Sequence, residues 1–394
     1  MNLLSYARAA AAPIVAASAL TVPLPAGTVG GAGMPAGFER LLGAAPLAAQ
    51  LPAPAVSSRR PFHVGGYGSV VGGRADFAAG PASNDIVQAA AALLVSGSFG
   101  RASYFGEFEP ASRTRETWSG RFEDEASDLE RLYAEYAFAD ALRLRVGRFL
   151  TPVGQWNELH AEPLTWTALR PLTTFRPFSK SSTGVMAAGT IALGPRDAGY
   201  ALWVAPVRVG AARGEETAFT SAGGGRVAVE VLPQVFLGVS ALRFRASRPV
   251  TPLEDSSDSE TQDSTDTGEG PGSGGTDREE DVHARSLLGA DASWTFGRLE
   301  LLAEAIYTAP QGENRAERGA FLQAAIPLLP WTHLVLRAER YGPVGANAGD
   351  LGIYTAGATI RPNPHVTLKL DRQLTSRVSA RVPDGWFVSA SAIF

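Results

Sequence analysis

The chain has 394 residues, 45% of them apolar and 19% charged, with 43 Gly, 27 Pro, no Cys and a formal net charge of −4. The missing cysteine excludes disulfide staples, thiolate metal sites, iron–sulfur clusters and cysteine nucleophiles. The near-neutral balance argues against a nucleic-acid binder, which carries a basic domain or stripe. A charged fraction below the ~25% of ordinary soluble domains, beside a mean hydropathy near zero, fits neither a typical cytosolic enzyme nor a helical membrane protein.

Residues 1–50 form a distinct leader. Arg8 precedes an Ala-rich apolar run (AAAAPIVAASALTVPLP), followed by more Ala, Gly and Pro and a polar switch near Gln50. A positive start, an apolar run and small residues at a cut site are the parts of a secretory signal peptide. Cleavage would follow Ala19 or fall near Ala49; the competing reading is a disordered Ala/Pro tail. Beyond the leader, no apolar stretch reaches the roughly 18 residues that a membrane-spanning helix needs.

From residue 61 to the end the recurring pattern has period two. Leu132, Ala134, Tyr136 and Phe138 alternate with Arg131, Tyr133, Glu135 and Ala137, and Leu142, Leu144 and Val146 with Arg143, Arg145 and Gly147. Further on, Val227, Val229 and Val231 enclose Ala228 and Glu230, and Leu299, Leu301, Ala303, Ala305 and Tyr307 enclose Glu300, Leu302, Glu304 and Ile306. Alternation at 180° per residue puts an apolar set on one face of a strand and a polar set on the other.

The links between these strands alternate in length. Short ones lie near residues 99–100, 139–140, 194–197, 232–233, 296–297, 329–330 and 361–364, and long polar ones near 74–85, 110–128, 151–182, 209–224, 246–283, 310–317, 342–350 and 375–384. Seven turns and eight loops predict about 16 strands. That arrangement is the pattern of an all-β, transmembrane antiparallel β-barrel with short periplasmic turns and long extracellular loops. Hydrocarbon offers no partner to open sheet edges, so the sheet must close. A barrel this wide encloses an aqueous lumen.

With the apolar rows toward lipid, the lumen-facing wall comprises Arg131, Glu135, Arg143, Arg145, Arg226, Glu230, Glu300, Glu304, Arg337, Glu339, Lys369 and Asp371, joined by Glu107, Glu109 and Asp291. Six basic against nine acidic groups make a mixed wall, which predicts weak ion selectivity; the alternative is that they pair across strands and only keep the wall polar. The chain has 33 Arg and two Lys, and guanidinium forks suit anion capture.

Residues 254–281 hold eleven acidic residues and one Arg, a net of −10, so the rest of the chain sums to +6. Such a Ser/Thr/Gly/Asp run cannot bury enough apolar surface to order itself, and 246–284 is expected to be a disordered acidic extracellular loop. Asp255, Asp258, Asp263, Asp266 and Glu269 lack the spacing of a full EF-hand, so no metal site or cofactor is assigned.

The last strand places Trp386, Val388, Ala390, Ala392 and Phe394 on one face, and the chain stops at that phenylalanine. This resembles the C-terminal strand of Gram-negative outer-membrane proteins, whose terminal aromatic is read by the barrel-insertion machinery; Ala392 departs from the larger residue often found there. Residues 147–184 carry a second resemblance. Gly147-Arg148-Phe149 ends a strand, a loop with Pro152, Gly154 and Asn157 follows, and Thr183-Gly184 opens the next strand. This is similar to relatives of the phosphate-selective porin family.

The resemblance implies an outer-membrane porin, a water-filled channel for passive diffusion of ions and small hydrophilic solutes, with a mild anion preference. Its surroundings would be outer-membrane lipid and lipopolysaccharide, its assembly a homotrimer. In that family an inward-folded loop restricts the channel, which makes 150–183 the candidate constriction loop, with Arg148, Trp156, Asn157, Glu158, His160, Arg170, Arg176 and Lys180 its candidate residues. The alternatives are an outer-membrane barrel hydrolase, phospholipase- or protease-like, and a plugged structural or adhesive barrel. Five histidines (63, 160, 283, 333 and 365) bear on the first, but none lies in a local Ser–His signature, so the expectation is a non-enzyme.

Overall fold

The computed structural model describes residues 62–76, 84–109, 112–116, 121–125, 128–159, 161–175, 177–194, 196–206, 218–247, 283–309, 316–343, 349–377 and 382–394. The expected leader, most of the acidic loop (248–282), His160 and Arg176 lie outside them.

The strands, in chain order, are β1 (His63–Asp76), β2 (Asn84–Phe99), β3 (Ala102–Glu109), β4 (Ser112–Glu116), β5 (Arg121–Glu125), β6 (Asp128–Ala139), β7 (Leu142–Leu150), β8 (Ser181–Leu193) and β9 (Arg196–Ala205). They continue as β10 (Ala218–Leu232), β11 (Val235–Ser247), β12 (His283–Phe296), β13 (Leu299–Thr308), β14 (Glu317–Leu329), β15 (Thr332–Gly342), β16 (Leu351–Asn363), β17 (Val366–Thr375) and β18 (Asp384–Ile393). Two single-turn helices, α1 (Trp156–Leu159) and α2 (Leu172–Phe175), interrupt the long β7–β8 connection.

Sixteen of the strands make a closed antiparallel wall. Each pairs with its neighbours, and β18 returns to β1 in a register running from Tyr67↔Ile393 to Asp76↔Asp384. The other two correct the expectation that 110–128 is simply a polar loop. β2 pairs with β3 through Leu93–Phe99 and with β4 through Ile86–Ala89, so β4 prolongs β3, and β5 pairs with β4. The β3–β6 hairpin is therefore extended toward the loop end. The segment's mixed polar residues hide strand periodicity, because neither face of the extension is apolar in sequence.

Every periplasmic-type turn has two residues between strands, from 100–101 to 364–365. Two-residue hairpins need positive φ, supplied by Gly100 and Gly297 at 61° and by Gln234 at 62°. Gln234 is held there by its amide donating to Glu230 Oε1 at 2.7 Å.

Alternation sets the two faces. Val239, Leu288 and Val388 are 61%, 62% and 55% exposed, whereas Arg226 and Lys369, on inward rows, are 1% and 2% exposed. On the outer face an aromatic girdle marks the turn end (Phe62, Phe99, Phe138, Phe296, Trp331, Phe394), and Phe108, Tyr307, Tyr354 and Trp386 form a second near the loop end. Such paired girdles flank the apolar band of outer-membrane barrels. At the β1–β18 seam the Gly66 and Phe394 backbones exchange two hydrogen bonds of 3.0 Å. A Cβ at Gly66 would lie 2.6 Å from the Phe394 ring, so glycine admits the terminal aromatic.

Candidate functional site

The β7–β8 connection, 151–180, does not stand above the rim. It enters the barrel, and its neck is tied shut. Thr151 N donates to Lys180 O at 2.9 Å, and Thr151 Oγ1 to Ser179 O at 2.7 Å. Asn157, fully buried, donates from Nδ2 to both Thr151 O (2.8 Å) and Lys180 O (2.9 Å) and accepts from Arg170 Nη2 (2.8 Å). One amide thus joins the two ends of the loop.

Across the lumen the loop is held by wall residues whose charge matches the backbone group each meets. Wall carboxylates take loop donors, among them Asp291, which accepts Gln155 Nε2 at 3.2 Å. Glu304 Oε1 accepts the amides of Gln155 (2.7 Å) and Trp156 (2.5 Å) at the start of α1, and Glu300 accepts Trp166 Nε1 (2.9 Å). Glu339 accepts both the amide and the hydroxyl of Thr173 at 2.7 Å, and Asp371 accepts the amide of Ala168 at 2.6 Å.

Three cations meet loop oxygens. Arg337 donates to Thr167 Oγ1 (2.7 Å) and Leu169 O (2.9 Å), and Arg361 to Leu164 O (2.9 Å). Lys369 Nζ reaches Glu162 O (2.6 Å), Glu162 Oε2 (2.9 Å), Thr165 Oγ1 (2.6 Å) and Thr167 O (3.1 Å). Irregular backbone inside a barrel needs partners for its buried amides and carbonyls, and this half of the wall provides them for amides 155, 156, 168 and 173 and for carbonyls 162, 164, 167 and 169.

The other half of the wall pairs with itself. Arg131 binds Glu107 at 2.5 Å and lies 4.5 Å over the Phe105 ring; Arg145 binds Glu135 through two nitrogens and lies 4.0 Å over Tyr133. Arg226 is bidentate on Asp291, and Lys180 pairs with Glu130, the bulged residue beside Arg131 in β6. Arg143 is buried on the same inward row, and Glu230 sits at the turn end, where it caps residue 234.

The constriction candidates separate. Trp156, Asn157, Glu158 and Arg170 come together in the inward loop, with Trp156 edge-on to Phe321 at 6.0 Å, and Lys180 sits at its neck. Arg148 does not join them. It is in register with Leu132 and Thr183, on the row of Leu144 and Val146, and so belongs to the outer face. β7 continues to Leu150, so strand parity still governs position 148. The His333 ring lies tilted at 48° against Trp166, centroids 4.6 Å apart.

Sequence reading missed the apolar part of the lumen. Phe149, Val153 and Phe178 of the loop region pack with Trp203, Phe219, Leu242, Phe244 and Leu287, all facing inward. Smaller clusters set Ala161 with Leu94 and Phe105, Ala168 with Val71 and Phe387, Trp166 with Val335, and Leu172 with Ile353. The signal was present: β9 (YALWVA) and β11 (VFLGVSALRF) are apolar on both faces. The loop threonines 151, 165, 167 and 173, now hydrogen-bonding partners of the wall or the neck, were also passed over.

No family model matches the chain, and no curated protein matches it. Solved structures do. OmpF of Salmonella typhi, in complex with daunomycin, superposes with a TM-score of 0.56 at 13% identity, covering 84% of this chain and 97% of that one. An anion-selective porin from Comamonas acidovorans gives 0.53 at 11% identity, covering 84% and 99%. OprB of Pseudomonas putida gives 0.51 at 10%, covering 84% and 94%. At these identities the likeness establishes a porin-like barrel fold.

Proposed function

We propose that the chain is an outer-membrane porin, passing ions and small hydrophilic solutes by passive diffusion through a lumen that the 151–180 loop narrows and gates. The observation that carries this is the polar fastening of the loop: carboxylates on loop amides and cations on loop carbonyls. Hydrogen bonds to charged groups contribute about 1.5–3 kcal/mol each, and water can take over each of them in a polar lumen, so on this reading the loop is displaced by exchanging its contacts for water. A mild anion preference belongs to the same proposal. It draws on Arg337 and Arg361, whose hydrogen bonds go to neutral oxygens; the opposing charge is that of Glu300, Glu304, Glu339 and Asp371, which likewise meet neutral loop donors, while Arg131, Arg145 and Arg226 cancel in pairs. Reading of Phe394 by the insertion machinery and assembly as a homotrimer are further parts of it.

The apolar clusters around the loop favour a second reading, a plugged structural barrel. Planar-bilayer recording separates the two. The porin reading expects small, infrequent conductance from the intact protein and larger, steadier conductance from a variant lacking 156–175. Silence from the intact protein, with conductance only from the variant lacking 156–175, selects the plugged barrel. A reversal potential in a salt gradient then reads the anion preference, and a cation-selective result would refute it.

A further inference from the structure

A groove of about 430 Å³ opens among Val204, Pro206, Ser221, Gly223, Arg243 and Arg245. Register places it on the outer face. Gly223 of β10 lies between Val204 of β9 and Arg243 of β11, and Val204 is 56% exposed in the outward row of Leu202. Glycine makes the floor: with no side chain at 223, the row dips between its two neighbours. The groove also has a defined height. Tyr307, in the loop-end girdle, is in register with Leu288 and through it with Ala241. Arg243 and Arg245 lie two and four residues beyond that row, roughly 7 and 13 Å along the strand.

The arginines there differ from others on the loop-end outer face. Arg318 and Arg340 share Asp350, and Arg372 binds Asp384. Arg243 and Arg245 are exposed, and neither guanidinium has a protein partner among the described residues. Directly below lie Leu202, Val227 and Val239, 57%, 42% and 61% exposed. A cationic fork above an apolar strip, at the boundary of the hydrocarbon band, complements an anionic headgroup carrying acyl chains.

We infer that this groove binds the phosphorylated headgroup of an outer-leaflet glycolipid, with Arg243 and Arg245 on the phosphate and an acyl chain along Leu202, Val227 and Val239. The inference rests on the outer-membrane placement proposed above, but not on conduction.

The test is native mass spectrometry of the full-length barrel in detergent, with diphosphorylated lipid A, its dephosphorylated form and inorganic phosphate as probes. The intact protein is expected to retain lipid A at least tenfold more strongly than the dephosphorylated lipid, and equimolar inorganic phosphate should not displace it. Arg243→Ala with Arg245→Ala should abolish the difference. Gly223→Leu, which fills the floor and leaves both arginines in place, should weaken retention similarly; a Cβ at 223 comes no nearer than 3.4 Å to any neighbour. Heat-shifted electrophoretic mobility verifies that each variant folds.

Equal retention of the two lipids, or unchanged retention by both folded variants, overturns the proposal. Displacement by inorganic phosphate would make this a free-anion site. Lipid binding only after deletion of 254–281 would assign the groove to the chain's own acidic loop, and a loss of oligomeric mass in the arginine variant without loss of lipid would assign it to a second copy. A barrel that conducts nothing yet retains lipid A leaves the inference standing and removes only the channel.

Discussion

Glu304 is the most direct handle on the inward loop. Glu304→Ala removes the carboxylate oxygen that accepts two backbone amides, those of Gln155 and Trp156, and leaves both inside the barrel without that acceptor. Hydrogen bonds to a charged group contribute about 1.5–3 kcal/mol each, so the gross loss is about 3–6 kcal/mol. Part is returned, because Glu304 is 3% exposed and shares its neighbourhood with Asp291, and removing one of two buried carboxylates relieves desolvation and repulsion. A net of about 3 kcal/mol corresponds to a factor of about a hundred in the ratio of displaced to seated loop. Single-channel recording measures it as open fraction, and limited proteolysis within 151–180 as cleavage rate. Glu304→Gln keeps an acceptor oxygen and is expected to lie between. Gly154→Ala should reproduce Glu304→Ala by another route, since φ at 154 is +66° and a Cβ there would sit 2.1 Å from the carboxylate. If Glu304→Ala matches the parent in both assays, the carboxylate does not seat the loop.

Other expectations follow from single contacts. Gly147 has φ of 130°, with Leu132 O 2.2 Å from where a Cβ would be; Gly147→Ala should destabilise the barrel by about 1–3 kcal/mol, read as a lower temperature for loss of the compact electrophoretic form. Arg226→Ala strands Asp291 in the wall and should cost about 3–5 kcal/mol, whereas Arg226→Met combined with Asp291→Leu should cost less; the reverse order in thermal unfolding would show that the pair itself is the stabiliser. Arg148→Ala should leave the reversal potential unchanged, since its row faces outward. Asp350 is raised somewhat by burial, but hydrogen bonds and charge from Arg318 and Arg340 more than offset this and hold its carboxyl below the usual value of 3.8. Its contribution is therefore complete above that value and lost as pH falls through the folded one. The melting difference between the parent and Asp350→Asn should be constant from neutral pH downward and close below about pH 4.

The barrel was legible because its physics is local. Each turn is announced by residues such as Phe99-Gly100 or Phe296-Gly297, and each face by parity, so 16 wall strands and their outward rows could be read directly. What parity cannot specify is which partner an inward charge meets. Lys369 and Asp371 read as members of a charged ring, yet one meets Glu162, Thr165 and Thr167 and the other the amide of Ala168, some 200 positions away in sequence. Nothing in the period-two pattern encodes where an irregular loop will fold. Arg148 differs for the opposite reason: the resemblance groups it with the constriction loop, whereas it lies near the end of β7, where strand alternation still applies. The β4–β5 extension escaped because its stabilising feature is a hairpin register, Ser112↔Glu125 to Glu116↔Arg121, and not burial of an apolar face.

Ala168 touches Val71 of the first strand and Phe387 of the last in a single apolar cluster, with Leu169 packed against it. These strands are the two ends of the barrel wall, brought together only when the cylinder closes. Completing that cluster requires the first strand, the last strand and the inserted segment at once, so none of the three can be finished alone. Closure and insertion are thereby coupled through this cluster: a barrel zipped up with the segment left outside would lack Ala168 and Leu169 at the seam, and a segment already inside offers the terminal strands an apolar surface on which to meet.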